Sequence, residues 1–210
     1  VLHYTATQTG LMMLPGALAS AVTMGVLGKN AHRFDPRLLI LVGAVAMVAT
    51  MLSLASINPD TSDQSLFWPL ILRGVTTVMM FLPLSLATLG PLPREEVGAG
   101  SGFYNLTRQL GGSFGIAMLT VVLDHQQAVH RSQLVQHLSS TNPLLQERLA
   151  GMTSWLDGQA NQALALLSLQ VDRQAALLAY ADVFRLVALV FGLAIPLVLL
   201  LGKPAPQQAP

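Results

Sequence analysis

Cysteine is absent from the 210-residue chain, and charged residues make up only 10% of it. Without thiols the chain can form no disulfide scaffold, no thiolate metal site and no thiol-based active site. A soluble domain carries about 25% charged residues, so this shortage excludes an ordinary soluble protein. The formal net charge is only +1, which provides no basic stripe to neutralise phosphates and excludes nucleic acid as a partner.

Apolar residues are abundant instead, at 52% of the chain, and they are gathered into long runs. Crossing a hydrocarbon core of roughly 30 Å takes about 20 helical residues. Five segments reach that length: residues 10–27, 38–57, 66–89, 98–123 and 179–201. The sequence therefore predicts an all-α membrane protein with five transmembrane helices.

The remaining segments set the domain organisation. Residues 1–123 hold the first four spans, and residues 179–201 the last one. Residues 124–178 lack an apolar run of spanning length, so we expect a helical insert outside the bilayer, with amphipathic helices over 124–139 and 159–178. The Pro- and Gln-rich residues 202–210 predict a disordered tail. Because the chain opens on Val1 without a signal peptide, we expect it to be part of a longer protein.

Basic residues in the short loops predict the orientation. Lys29, Arg33 and Arg37 lie between the first two spans, Arg94 precedes the fourth, and Lys203 follows the fifth. Cytoplasmic loops carry the excess of Lys and Arg. Five alternating spans place these three segments on one side, so that side is predicted to be cytoplasmic and the insert extracytoplasmic.

Charged side chains within the spans point to function, because they are costly in lipid. Arg73, Arg108, Asp182 and Arg185 qualify by position. Arg108 lies about 15 Å from the start of its span, near the bilayer middle, where it costs roughly 2.5–3.5 kcal/mol. Two interpretations stay open for it: an anchor to carbonyls or a carboxylate of a neighbouring helix, or direct contact with substrate or protons. Asp182 and Arg185 have the i, i+3 spacing of an ion pair.

The fourth span combines a polar stripe with small residues. Ser101, Asn105 and Arg108 share one face, with Tyr104 beside it, so this face is predicted to meet water or protein. The span also contains two small-xxx-small motifs, which favour close helix packing: Gly98 with Gly102, and Gly111 with Gly115. The second span has neither charge nor proline and is predicted to face lipid.

Motifs for catalysis and metal binding are missing. Only His130 and His137 share a helical face, and no carboxylate lies on it, so His125, His130 and His137 are interpreted as solvated surface residues. Neither a phosphate-binding glycine loop nor a Ser/His/Asp arrangement is present. We therefore expect no enzyme activity, no metal and no cofactor.

Four motifs together resemble the major facilitator superfamily, in particular its fourteen-helix drug:proton antiporters of the EmrB/QacA type. They are Thr7-Gln-Thr-Gly-Leu-Met-Met-Leu-Pro-Gly-Ala17, Ala31-His-Arg-Phe-Asp-Pro-Arg37, Arg73-Gly74 with Pro83-Leu84, and Leu106-Thr-Arg-Gln-Leu-Gly-Gly-Ser-Phe-Gly115. A polar insert followed by Tyr180-Ala-Asp-Val-Phe184 adds to the likeness.

The resemblance implies an architecture. The five helices would be the last five spans of the family, with a cytoplasmic C-terminus. The first, third and fourth would line a central cavity, and the second and fifth would lie at the periphery. Arg33, Asp35 and Arg37 would belong to the cytoplasmic gating loop, in which basic residues lock neighbouring helix ends.

The function implied is the C-terminal part of a proton-coupled multidrug exporter of a bacterial inner membrane, working by alternating access. Its partners would be the lipid bilayer, hydrophobic and often cationic drugs, protons, and a periplasmic adaptor with an outer-membrane channel. The alternative is a non-transporting membrane sensor or assembly subunit. The residues expected to line the substrate cavity are Met80, Phe81, Ser101, Tyr104, Asn105 and Arg108.

Overall fold

The computed structural model describes residues 6–30, 35–56, 63–136, 146–147, 151 and 160–200. These residues form five long helices and no strand: α1 (Ala6–Lys29), α2 (Pro36–Ala55), α3 (Asp63–Leu89), α4 (Val97–Gln136) and α5 (Ala160–Leu200). All five are long and apolar enough to cross a membrane, which confirms the predicted all-α membrane fold. The predicted tail, residues 202–210, and Arg33 lie outside the described residues.

The last two helices are much longer than a span requires. With 40 residues in α4 and 41 in α5, each is about 60 Å long, twice the hydrocarbon thickness. The sequence predicts that the spans end at residue 123 and begin at residue 179, with amphipathic helices over 124–139 and 159–178 in the insert. Residues 124–136 and 160–178 are helical and continue the fourth and fifth helices without a break. This continuity agrees with the sequence, since residues 116–136 and 160–178 contain neither glycine nor proline. The positions at which these helices leave the bilayer stay a prediction.

The described residues divide into two compact units. One, called the bundle unit here, consists of residues 6–117 and 184–200. The other, the hairpin unit, consists of the described residues of 118–183, where the second half of α4 pairs with the first half of α5.

Helix α3 packs on α1 at two glycines of the bundle unit. A Cβ atom added at Gly16 would lie 2.7 Å from the Leu70 carbonyl oxygen, and one added at Gly74 would overlap the Gly16 carbonyl oxygen. The helix backbones therefore touch at this crossing. Small residues allow such contacts, which drive helix association where no hydrophobic effect operates.

Helix α2 begins at a well-formed cap. The Asp35 side chain accepts a hydrogen bond from the Arg37 backbone nitrogen at 3.1 Å, and Pro36 occupies the first turn, where its missing N–H costs nothing.

One side of α2 is buried. Met47, Met51 and Leu54 form a core cluster with Ala188 of α5, and Met80 of α3 packs against it. The prediction that α2 faces lipid is therefore wrong for this side. Absence of charge in the sequence does not distinguish lipid from a protein neighbour, because both are apolar.

Several hydroxyl groups of the helices are satisfied within their own helix. Each bonds a carbonyl one turn earlier in its own helix: Ser20 to Gly16, Thr23 to Ala19, Thr50 to Ala46, Thr88 to Leu84, Thr107 to Phe103 and Ser113 to Gln109. This matters because lipid offers no hydrogen-bond partners.

We expect Gly74→Ala to separate α1 from α3, because the new methyl group meets backbone atoms that cannot move aside. Overpacking of this kind costs about 1–3 kcal/mol. The measurement is the thermal midpoint of the purified full-length protein in detergent. Gly25→Ala in α1 is the matched control, since nothing lies within 4 Å of a Cβ there. An equal or smaller effect of Gly74→Ala would contradict the backbone contact.

Candidate functional site

Helices α3 and α4 meet at four side chains of the bundle unit. The Ser85 and Tyr104 hydroxyl oxygens lie 3.0 Å apart, and the Arg108 Cζ atom lies 5.2 Å from the centroid of the Phe81 ring. Phe81 and Ser85 are one turn apart on α3, as are Tyr104 and Arg108 on α4. This pairing of the two helices in opposite directions follows from the short loop of residues 90–96 between them. These four residues are called the aromatic cluster below.

The two rings of the aromatic cluster also approach each other. Their centroids are 6.5 Å apart and their planes are tilted by 48°, within the range in which aromatic pairs attract. The Ser85–Tyr104 bond holds the Tyr104 ring beside Phe81. Together they form an adaptable apolar wall with a hydroxyl pair at one end and a guanidinium at the other.

The Arg108 guanidinium makes a cation–π contact with the face of the Phe81 ring. In the described part of the chain Arg108 forms no ion pair, and its guanidinium lies over Phe81. Such a cation–π contact contributes about 0.5–2 kcal/mol, less than the roughly 2.5–3.5 kcal/mol cost of arginine at mid-span. The sequence interpretations included carbonyl, carboxylate and substrate partners, but not an aromatic one.

Three of the six residues expected in the cavity are thus brought together: Phe81, Tyr104 and Arg108. Met80 lies elsewhere, because it packs on the core cluster and a Cβ at Gly43 would lie 2.9 Å from its Cγ atom. Ser101 donates its hydroxyl to the Gly98 carbonyl of its own helix at 3.0 Å, and Asn105 is exposed.

Ser85 belongs to the site although the sequence analysis missed it. The pattern that could have revealed it is its i, i+4 relation to Phe81, matched by Tyr104 and Arg108 across the short loop.

Four glycines of α4 were predicted to pack against another helix, but none of them has a neighbour in the described part of the chain. Nothing lies within 4 Å of a Cβ built at Gly98, Gly102, Gly111 or Gly115, and no residue of α4 is buried. Their packing role stays a prediction. The glycines that do permit close contacts are Gly16, Gly43 and Gly74 on the first three helices, and Gly100 of α4, which lies against the Leu92 side chain.

Two of the three residues predicted for a gating loop, Asp35 and Arg37, lie at the start of α2. Asp35 caps the helix through its contact with the Arg37 backbone. The Nε and Nη2 atoms of the Arg37 guanidinium are buried and have no hydrogen-bond partner among the described residues. A buried, unpartnered donor is costly, so this side chain is well suited to receive an acceptor. Arg73, the remaining predicted charge of α3, has an exposed side chain.

His130 is not the solvated residue that the sequence predicts. Its Nε2 atom lies 2.7 Å from the Asp182 Oδ2 atom, and the two side chains are only 20% and 23% exposed. Gln126, one turn earlier on α4, donates its Nε2–H to the same oxygen at 3.3 Å. The prediction failed because the two partners are 52 residues apart in sequence and meet only through the helix pairing. No metal-binding group of three or more His, Cys, Asp or Glu is found within the described ranges.

This contact also bears on the predicted depths. The sequence predicts that residues 124 and 179 lie at the same membrane surface, with His130 outside the bilayer and Asp182 inside it. At a rise of 1.5 Å per residue, the two residues would then differ in depth by about 14 Å. Atoms 2.7 Å apart lie at one depth. Asp182 and His130 therefore share a single environment, and the predicted Asp182–Arg185 ion pair stays a prediction.

Comparison with known proteins decides the family. The sequence profile of the Major Facilitator Superfamily matches residues 1–116, more than half of the chain. The chain belongs to the Major Facilitator Superfamily. No solved structure matches it.

Individual members of the Major Facilitator Superfamily resemble nearly the whole chain. It is 28% identical over 206 residues to the multidrug export protein EmrB of Haemophilus influenzae, covering 97% of this chain and 40% of that protein. It is 28% identical over 195 residues to EmrB of Escherichia coli, covering 91% and 37%. The fatty acid resistance protein FarB of Neisseria gonorrhoeae is 23% identical over 205 residues, covering 97% and 40%. The chain therefore spans about two-fifths of the length of these relatives, and with five spans it is a multi-pass membrane protein of this superfamily.

We expect Ser85→Ala and Tyr104→Phe each to lower the free energy of unfolding by about 1 kcal/mol, because each removes the same hydrogen bond. The double variant should then lose less than the sum. The measurement is a double-mutant cycle from denaturation of the full-length protein. Thr88→Ala, which removes a hydroxyl bonded inside α3, is the control and should add fully to Tyr104→Phe. Additive effects of Ser85→Ala and Tyr104→Phe would disprove the contact.

Proposed function

We propose that this chain is the C-terminal part of a proton-driven multidrug exporter of a bacterial inner membrane, which moves hydrophobic compounds outward by alternating access. The observation that carries the proposal is the aromatic cluster, where Arg108 is held mid-span by the Phe81 ring with no carboxylate in the described part of the chain. Membership of a transporter superfamily and the names of its EmrB relatives support it.

The chemistry of the cluster suits substrates of varied shape. Aromatic faces bind apolar surfaces without demanding one geometry, and the Ser85–Tyr104 hydroxyls can hydrogen-bond polar groups. Arg108 lies on the ring face without a geometrically fixed salt bridge among the described residues. A ligand can therefore replace that contact at a cost of about 0.5–2 kcal/mol.

Gating is assigned to the start of α2. Alternating access needs contacts that form in one state and break in the other. The buried Arg37 guanidinium, unpartnered among the described residues, is a donor for a carboxylate or helix C-terminus in the state that is closed toward the cytoplasm. Asp35 holds the same turn as its cap.

We expect Arg108→Ala to abolish efflux of a hydrophobic fluorescent cation from cells expressing the complete gene, and Arg108→Lys to restore only part of it. Lysine keeps the charge but lacks the planar group that stacks on a ring. Phe81→Ala should impair efflux similarly. Phe67→Ala is the control, because Phe67 is an exposed aromatic of the same helix whose ring pairs with Trp68 and not with α4 in the described part of the chain.

Unchanged efflux by Arg108→Ala at normal expression would overturn the role of the cluster. If the complete, well-expressed gene transported none of a broad panel of compounds, the sensor or assembly-subunit alternative would replace the exporter. Transport that persists in a membrane without a proton gradient would contradict proton coupling but not the export function itself.

Residues 124–178 are our candidate for docking a periplasmic adaptor that leads to an outer-membrane channel. The segment is expected outside the bilayer, and its helical residues 124–136 and 160–178 are linked by the Arg131–Asp172 ion pair, so it offers a partner a folded surface. We expect a short linker in place of residues 137–159 to abolish drug resistance in cells while drug uptake into inverted inner-membrane vesicles persists. Retained resistance would refute this docking role.

A further inference from the structure

Arg73 is a second arginine within the candidate spans, on the same helix as Phe81. Its side chain is exposed, and it forms no ion pair in the described part of the chain. Arg108 likewise has no carboxylate partner among the described residues, since its guanidinium lies over the Phe81 ring. Two neighbouring helices therefore each carry an arginine whose charge no described acid balances, although a charge within a span is costly.

The sequence of the first four helices offers these arginines few acidic partners. Residues 64–123 contain two acidic residues, Glu95 and Glu96, and both lie in the loop of residues 90–96 between α3 and α4. Helices α1 and α2 contain neither Asp nor Glu. The spans beside the aromatic cluster therefore have a local excess of positive charge, which attracts an anion and opposes a further cation.

Arg73 and Phe81 lie on one ridge of α3. Arg73, Thr77 and Phe81 are spaced four residues apart, which places them in one i±4n row of the helix surface. Thr77, between the other two, donates its hydroxyl to the Arg73 carbonyl oxygen at 2.7 Å and so is bonded within its own helix. Along the helix axis Arg73 and Phe81 are about 12 Å apart. The row thus begins with a guanidinium and ends at the apolar wall of the aromatic cluster.

We propose that Arg73 binds the carboxylate of amphipathic organic anions whose apolar body lies against Phe81 and Tyr104. This assignment rests on the proposed export function and names one class of substrate for it. A guanidinium keeps its charge and can bond a carboxylate through two parallel N–H donors. Aromatic faces bind apolar bodies of varied shape. An anion with a long tether therefore contacts both ends of the row, whereas a hydrophobic cation uses the rings without Arg73.

The test compares two fluorescent probes that have the same apolar body and opposite charge. Pyrenedecanoate carries a carboxylate at the end of a long alkyl tether, and the matched cation carries a trimethylammonium group in its place. Uptake of each probe is measured in proteoliposomes that contain the full-length protein, with protein-free liposomes as the blank. We expect Arg73→Gln to raise the pyrenedecanoate concentration for half-maximal uptake about tenfold, the effect of losing one hydrogen bond between charged groups. Uptake of the matched cation should stay unchanged.

Two further variants serve as controls. Arg73→Lys keeps the charge but lacks the planar fork of a guanidinium, so it should restore part of the affinity for pyrenedecanoate. Arg94→Gln removes an exposed arginine of the loop between α3 and α4 and should alter the uptake of neither probe. This control separates a contact at Arg73 from an effect of net charge.

The outcomes distinguish this proposal from the export function. An Arg73→Gln protein that takes up both probes normally, or loses both equally, would overturn the role of Arg73. An unmodified protein that transports the cation but not pyrenedecanoate would overturn the substrate class and leave the export function standing. Transport of neither probe would count against both.

Discussion

Direct contact between helix backbones holds this structure together. Lipid tails are as apolar as leucine, so helices gain little from burying apolar side chains against each other and depend on close packing. Gly16 and Gly74 provide it between α1 and α3, and Gly43 provides it where Met79 and Met80 of α3 press on α2. Helix α3 is thereby fixed between two neighbours, and farther along the same helix Phe81 and Ser85 contact α4.

The aromatic cluster depends on that position. Its members come from two helices joined by a short loop, so the pairing of Phe81 with Arg108 and of Ser85 with Tyr104 is set by the register of α3 and α4. A change in the tilt of α3 alters both contacts at once. Gly74, Phe81 and Ser85 have the i, i+7 and i+11 spacing of one helix face, so the glycine crossing and the aromatic cluster follow each other along the same side of α3.

Much of this architecture could be predicted from sequence, because bilayer thickness imposes a length that five apolar runs match. Phe81, Tyr104 and Arg108 could be singled out by residue type and depth. The rest depends on helix rotation and pairing, which a single sequence does not encode visibly. Glycines occur on every candidate helix, yet of those on α4 and α5 only Gly100 meets a neighbour within the described ranges, at the Leu89 and Leu92 side chains. His130 and Asp182, 52 residues apart, look unrelated until α4 and α5 are paired.

The locally bonded hydroxyls have a consequence for biogenesis. Ser20, Thr23, Thr50 and Thr88 each bond a carbonyl of their own helix, so these side chains need no hydrogen-bond partner on a neighbouring helix. Each of these hydroxyls is therefore paired as soon as its own helix has formed, before the next helix has been synthesised. Arg108 breaks this pattern, because its ring partner sits on the preceding helix; α4 is best inserted once α3 is there to receive it.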